Sequence, residues 1–184
     1  MKRPGPESTD LMDDMKERIL TSVDSLDEVS SVILSPSFAV LTSRHECWTC
    51  TTVVPVSALW VPNFVERFDD GEELSVADAA VLRFVETINL PAAQHIAAAA
   101  PWMLMSTTKG SGTRYLVNRC QSCGAIQGDF HLFGVDGPFG LVTLEKRGTE
   151  HIRVHAVDCA IEAAAGIAQA TWVDQIPYRA LQTQ

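Results

Sequence analysis

The chain has 184 residues, 46% of them hydrophobic and 20% charged, enough for one well-buried core or for one core carrying a sizeable insertion. Its formal net charge of −9 arises within residues 1–86, so a phosphate backbone is repelled unless a local basic patch opposes that field. No apolar run reaches membrane-spanning length, Val154 to Val173 being broken by Asp158 and Glu162, and no apolar stretch follows Met1 to Glu7; a soluble, cytoplasmic chain with reduced thiols and no membrane contact is expected.

Leu11, Met12, Met15, Ile19, Leu20 and Val23 recur at helical spacing and predict an amphipathic helix from Asp10 to Val23. An acidic turn follows, where Ser25 and Glu28 have capping-box spacing, so residues 1–36 form an N-terminal helix and turn ahead of a single domain over 37–184. Phe38, Val40 and Leu41 predict a strand from Ser37 to Thr42, leading into Cys47-Trp48-Thr49-Cys50. Thr51 to Val61, rich in β-branched residues, predicts a second strand, with Pro55 placing it at an edge or a bulge. After the acidic loop Glu66 to Glu73, Ser75 and Asp78 predict a helix to about Ile88, and Pro91 starts another that Pro101 stops, giving a helical insert at about 66–101. Trp102 to Thr107 and Thr113 to Asn118 read as a hairpin turning at Lys109-Gly110-Ser111-Gly112 and delivering Cys120-Gln121-Ser122-Cys123. Ala125 to Phe133, Leu141 to Leu144 and His151 to Val157 predict strands, with a turn-rich loop from Asp136 to Gly140, and Asp158 caps a terminal alanine-rich helix to about Thr171. The class is α+β: a mainly antiparallel sheet with an inserted helical segment and terminal helices.

Two Cys-x-x-Cys hooks can hold four thiolates around one tetrahedral Zn²⁺. Two intervening residues let the backbone fold back, so that both sulfurs face one ion while nearby amides donate to them. Cys47, Cys50, Cys120 and Cys123 are therefore the expected ligands of a structural Zn²⁺, and Cys159, among Val157, Ala160 and Ile161, is a small packed side chain. Thr51 to Arg119 separates the hooks, so a shared ion closes a large loop and contributes to tertiary stability. Gly124 follows the second hook, where a positive φ is often needed, whereas Thr51 follows the first. With these flanking strands the hooks resemble the knuckles of zinc-ribbon proteins, which implies a scaffolding metal and a partner drawn from nucleic acids or other proteins. A thioredoxin-like pair fits less well because the hook is doubled, and a zinc deaminase needs His-x-Glu where this chain has adjacent His45 and Glu46.

Four thiolates leave no coordination position for an activated water. The leading expectation is thus a non-enzymatic, zinc-stabilised protein-binding domain whose acidic half recognises a basic partner, an inhibitor or immunity-type antitoxin being one form. A nucleic-acid-associated or transcription-related ribbon module is the alternative, with Arg114, Arg119, Lys146, Arg147 and Arg153 on phosphates. A hydrolytic enzyme using His131, His151 or His155 is the second alternative, although no nucleophile can be tied to these residues. Trp60, Trp102 and Phe64 are expected in the core, with Trp48 exposed on its hook.

Overall fold

Strands dominate the computed structural model, which describes residues 31–108 and 112–177. The expected Asp10–Val23 helix, most of the acidic turn after it, and Lys109, Gly110 and Ser111 lie outside the described residues. In chain order the strands are Ser31–Ser35 (β1), Phe38–Glu46 (β2), Val53–Val61 (β3), Phe64–Arg67 (β4), Glu73–Val76 (β5), Ala80–Ile88 (β6), Met103–Thr107 (β7), Arg114–Arg119 (β8), Ile126–Gln127 (β9), Arg153–Val157 (β10) and Ile161–Ala168 (β11). Helices cover Leu90–Ala99 (α1), Asp129–Leu132 (α2) and Leu141–Arg147 (α3), with a 3-10 turn at Val173–Gln175. An 8-stranded sheet runs β10-β2-β3-β6-β11-β1-β4-β5, a 3-stranded sheet runs β7-β8-β9, and every pairing is antiparallel.

Period-two alternation divides the large sheet between two apolar clusters. Phe38, Val40, Leu59, Val61, Ala80 and Leu82 join the first, while Ala39, Leu41, Ala58, Trp60 and Val81 join the second. Burial on both faces makes the centre of the sheet read as continuous apolar runs. The first cluster is closed by Ala92 and Ile96 of α1 with Met103 and Leu116 of the small sheet. The second is closed by Cys47, Cys120, Leu132, Phe139, Leu144 and the chain near Trp172, where Trp60 Nε1 donates to the Val173 carbonyl at 3.0 Å.

Several predicted elements take another form. Residues 80–88 are a strand and not a helix: Val81, Val85, Thr87 and Ile88 favour extended backbone, and pairing with β3 on one side and β11 on the other outweighs the Ser75 and Asp78 cap signal. The alanine-rich stretch after Asp158 is strand β11, not a terminal helix. Its intrinsic helix preference is overridden by ladders to β1 and β6, and the fully buried Ala163 and Ala165 let α1 lie close against it. Leu141 to Arg147 is helical where the sequence predicts a strand, bracketed by Gly140 and by Gly148 at φ 66°. Beyond Ala125 only Ile126 and Gln127 are extended, because α2 begins at Asp129. The helical insert consequently reduces to α1, and β1, within the segment 1–36, pairs with β11 and β4.

Two irregularities interrupt the ladders of the large sheet. Strand β6 bulges against β11 near Phe84, whose φ of 49° is a strained value for a bulky residue; Asp129 Oδ2 accepts the Phe84 amide at 2.8 Å in place of a ladder partner. Strand β3 meets β6 only from Leu59 to Val61, so around Pro55 it is an edge that tolerates proline's missing N–H. There Asn118 of β8 supplies the ladder: its Oδ1 accepts the Ser57 amide at 2.6 Å and its Nδ2 donates to the Ser57 carbonyl at 2.9 Å, all within the core. Asn118→Leu therefore strands two buried backbone groups and is expected to lower unfolding free energy by about 3 kcal/mol, measured by denaturant titration of the metal-loaded chain.

Candidate metal centre

Cys47–Cys50 lies between β2 and β3, and Cys120–Cys123 between β8 and β9, so one hook comes from each sheet. Their backbones fold alike. The Thr51 amide donates to the Cys47 carbonyl at 2.9 Å and the Cys47 amide to the Thr52 carbonyl at 2.9 Å; the corresponding bonds in the second hook are Gly124 to Cys120 at 2.8 Å and Cys120 to Ala125 at 2.9 Å. Such a turn needs a positive φ at the residue after its second cysteine, met at 74° by Gly124 and at 58° by Thr51. Glycine takes this conformation freely, whereas a β-branched side chain is strained by it.

The turns bring all four sulfurs within 4.8 Å of one another, with Cys47 Sγ 3.7 Å from Cys123 Sγ and Cys50 Sγ 3.7 Å from Cys120 Sγ. A tetrahedron with metal–sulfur bonds of about 2.3 Å has edges of about 3.8 Å, so the spacing suits a four-coordinate ion and is compatible with zinc. None of the cysteines is in a disulfide. Cys47 and Cys120 are buried, Cys50 is half-buried and Cys123 is exposed. Cys47 Sγ accepts the Thr49 amide at 3.4 Å and Gln127 Nε2 at 3.3 Å. Gln127, fully buried, also donates to the Ala125 carbonyl at 3.2 Å, tying the first hook's sulfur to the second hook's backbone.

The crowded thiols ionise unevenly. Donation from the Thr52 hydroxyl and amide outweighs burial and holds Cys50 down to about 6. For Cys47, burial works upward, yet amides of Cys50 and Thr49 bring its thiol below the ordinary value. The Ala125 amide draws Cys123 down, but burial and the thiols of Cys50, Cys120 and Cys47 push it up to about 12. Each thiolate formed disfavours the next, and a divalent cation at the centre reverses that repulsion.

Trp48, 60% exposed, joins the hooks from outside: its Nε1 donates to the Ile126 carbonyl at 2.7 Å, and its ring stacks on His131 at 6.1 Å. Trp60 and Phe64 are buried and Trp102 packs against the first cluster. The three candidate histidines are spread out. His131 sits on α2 and not on a strand, His151 precedes β10 with Nε2 3.1 Å from the Pro138 carbonyl, and His155 is exposed on β10 opposite Val40. His45, at the end of β2, is held below its usual value by burial and then by His131, with Glu46 opposing. Of the basic candidates, Lys146 and Arg147 gather with Arg44, His45 and His151 along one polar cleft, whereas Arg114 lines a groove beside α1, Arg119 Nη2 donates to Ser106 Oγ at 2.8 Å, and Arg153 is exposed on β10. Half-buried Cys159 packs on the first cluster, apart from the four-sulfur group. No helix among the described residues is long and apolar enough to cross a membrane.

Comparison with protein-family models, with curated proteins and with solved structures gives no match. The spacing of the sulfurs and their hydrogen bonds are therefore what define this chain as a candidate metal-binding protein.

Serine at Cys47, Cys50, Cys120 or Cys123 is expected to abolish stoichiometric zinc and to lower the melting temperature, whereas Cys159→Ser leaves both unchanged; metal analysis beside a thermal melt reads this. Thr51→Gly relieves strain in the first hook and is expected to keep the metal and to be at least as stable in the same two assays. Because ligation displaces thiol protons, apparent zinc affinity is expected to fall as pH falls, measured by chelator competition across a pH series.

Proposed function

We propose that the chain is a non-enzymatic, zinc-stabilised binding domain that recognises a basic protein, an inhibitor or immunity-type antitoxin being one form. Four cysteine ligands complete a tetrahedral shell, which suits zinc acting as a brace with no open position for substrate or water. The observation that carries the choice of partner is the β4–β5 hairpin, where Asp69, Asp70, Glu72 and Glu73 are exposed at the edge of the large sheet. Asp70 Oδ1 accepts the Glu72 amide at 3.0 Å and the Phe68 amide donates to the Glu72 carbonyl at 2.9 Å, so the turn holds its acids in place. Arg67 is committed to Glu73 at 2.8 Å, and the net charge of −9 extends the same sign beyond the hairpin. A field of one sign speeds encounter with a basic surface and makes it salt-sensitive.

Affinity capture with the zinc-loaded chain from its host is expected to recover a basic protein at low salt, to lose it at high salt, and to lose it when Asp69→Lys and Glu72→Lys are combined. Recovery of nucleic acid alone, or capture indifferent to that charge reversal, counts against the proposal.

A further inference from the structure

Beside the metal centre a cleft of about 740 Å³ opens between the hooks and the small sheet, its walls formed by the rings of Trp48, Phe84, Tyr115, Phe130 and His131. The remaining lining is threonine, alanine, isoleucine and glycine, so among the described residues no lysine, arginine, aspartate or glutamate faces it. Among the described residues a phosphate or carboxylate would find no lysine or arginine there. Two pairs of these rings meet at steep angles, Phe130 at 84° to His131 with centroids 5.5 Å apart and Phe84 at 71° to Tyr115 at 5.3 Å, while Trp48 lies within 21° of parallel to His131. Walls inclined to one another offer aromatic surface in more than one direction, which suits a rounded alkylated ammonium better than a flat ligand.

Two further observations favour a cation. Phe130, 77% exposed, and Trp48 stand open to an incoming group. The net charge of −9 supplies long-range attraction of the matching sign. The Phe84 bulge is what turns that ring toward the cleft, and Asp129 holds the bulge by accepting its amide at 2.8 Å.

We propose that this cleft is an aromatic cage for a methylated ammonium group, a trimethylated lysine side chain presented by the partner protein. The inference rests on the reading that the partner is a basic protein and names where one of its side chains is held. Cation–π attraction to several faces discriminates the charged group from a neutral one of identical shape.

The zinc-loaded full chain is titrated with a short trimethyllysine peptide, with the same peptide carrying the uncharged tert-butyl isostere, and with free choline, following the Trp48 indole proton by NMR. The charged peptide is expected to shift that proton and to bind about tenfold or more tightly than either comparator. Phe130→Ala and Trp48→Phe are expected to weaken the charged peptide with zinc content unchanged, Phe130→Ala by about tenfold. Equal binding of the neutral isostere, or no shift with the charged peptide, overturns the cage, and equal binding of choline overturns its assignment to a lysine side chain. Capture of a basic protein that survives in Phe130→Ala overturns the cage while leaving the proposed function standing. Peptide binding without any captured basic protein sinks the proposed function and leaves the chemistry of the cleft intact.

Discussion

Mutual repulsion among four sulfurs, gathered within 4.8 Å, is the constraint on which the arrangement turns. Thiols so close cannot all ionise in the absence of a cation, and once ionised around one they bind far more strongly than any pair would. The four cysteines are shared between the β2–β3 and β8–β9 connections, so an ion bound there would join the large sheet to the small one and close a long loop. Gln127 and Trp48 add contacts across the same junction at 3.3 and 2.7 Å.

Those hooks were legible because ligand spacing is local chemistry: Cys47 and Cys50 can face one ion only with few residues between them, and the same holds for Cys120 and Cys123. The strands nearest them were legible for a similar reason, since β2, β3, β7 and β8 carry alternating or β-branched residues up to each hook. What failed was decided at long range. Nothing near Ala163 says that β1 and β6 will flank it, and without those ladders alanine prefers helix. Val81 and Val85 did favour a strand, but a cap signal at Ser75 obscured them. Gln127 and Asn118 gave no sign of their roles, because each is defined by a partner 61 or 80 positions away.

The metal centre and the aromatic cleft are physically continuous. Trp48 projects from the first hook into the cleft wall, and His131 lies against it. At the other wall, the Phe84 bulge keeps an uncommon backbone conformation through Asp129, which begins α2 only two residues before His131. Rigid support of this kind lets a binding surface be held ready with little ordering at the moment of encounter.

The Asn118 amide also decides how the two sheets can meet. Where β3 runs past the end of β6, its N–H and C=O at Ser57 lie in the core without a neighbouring strand. A carboxamide pairs both groups from a strand of the other sheet, so the two sheets are riveted at one point without merging into a single ladder.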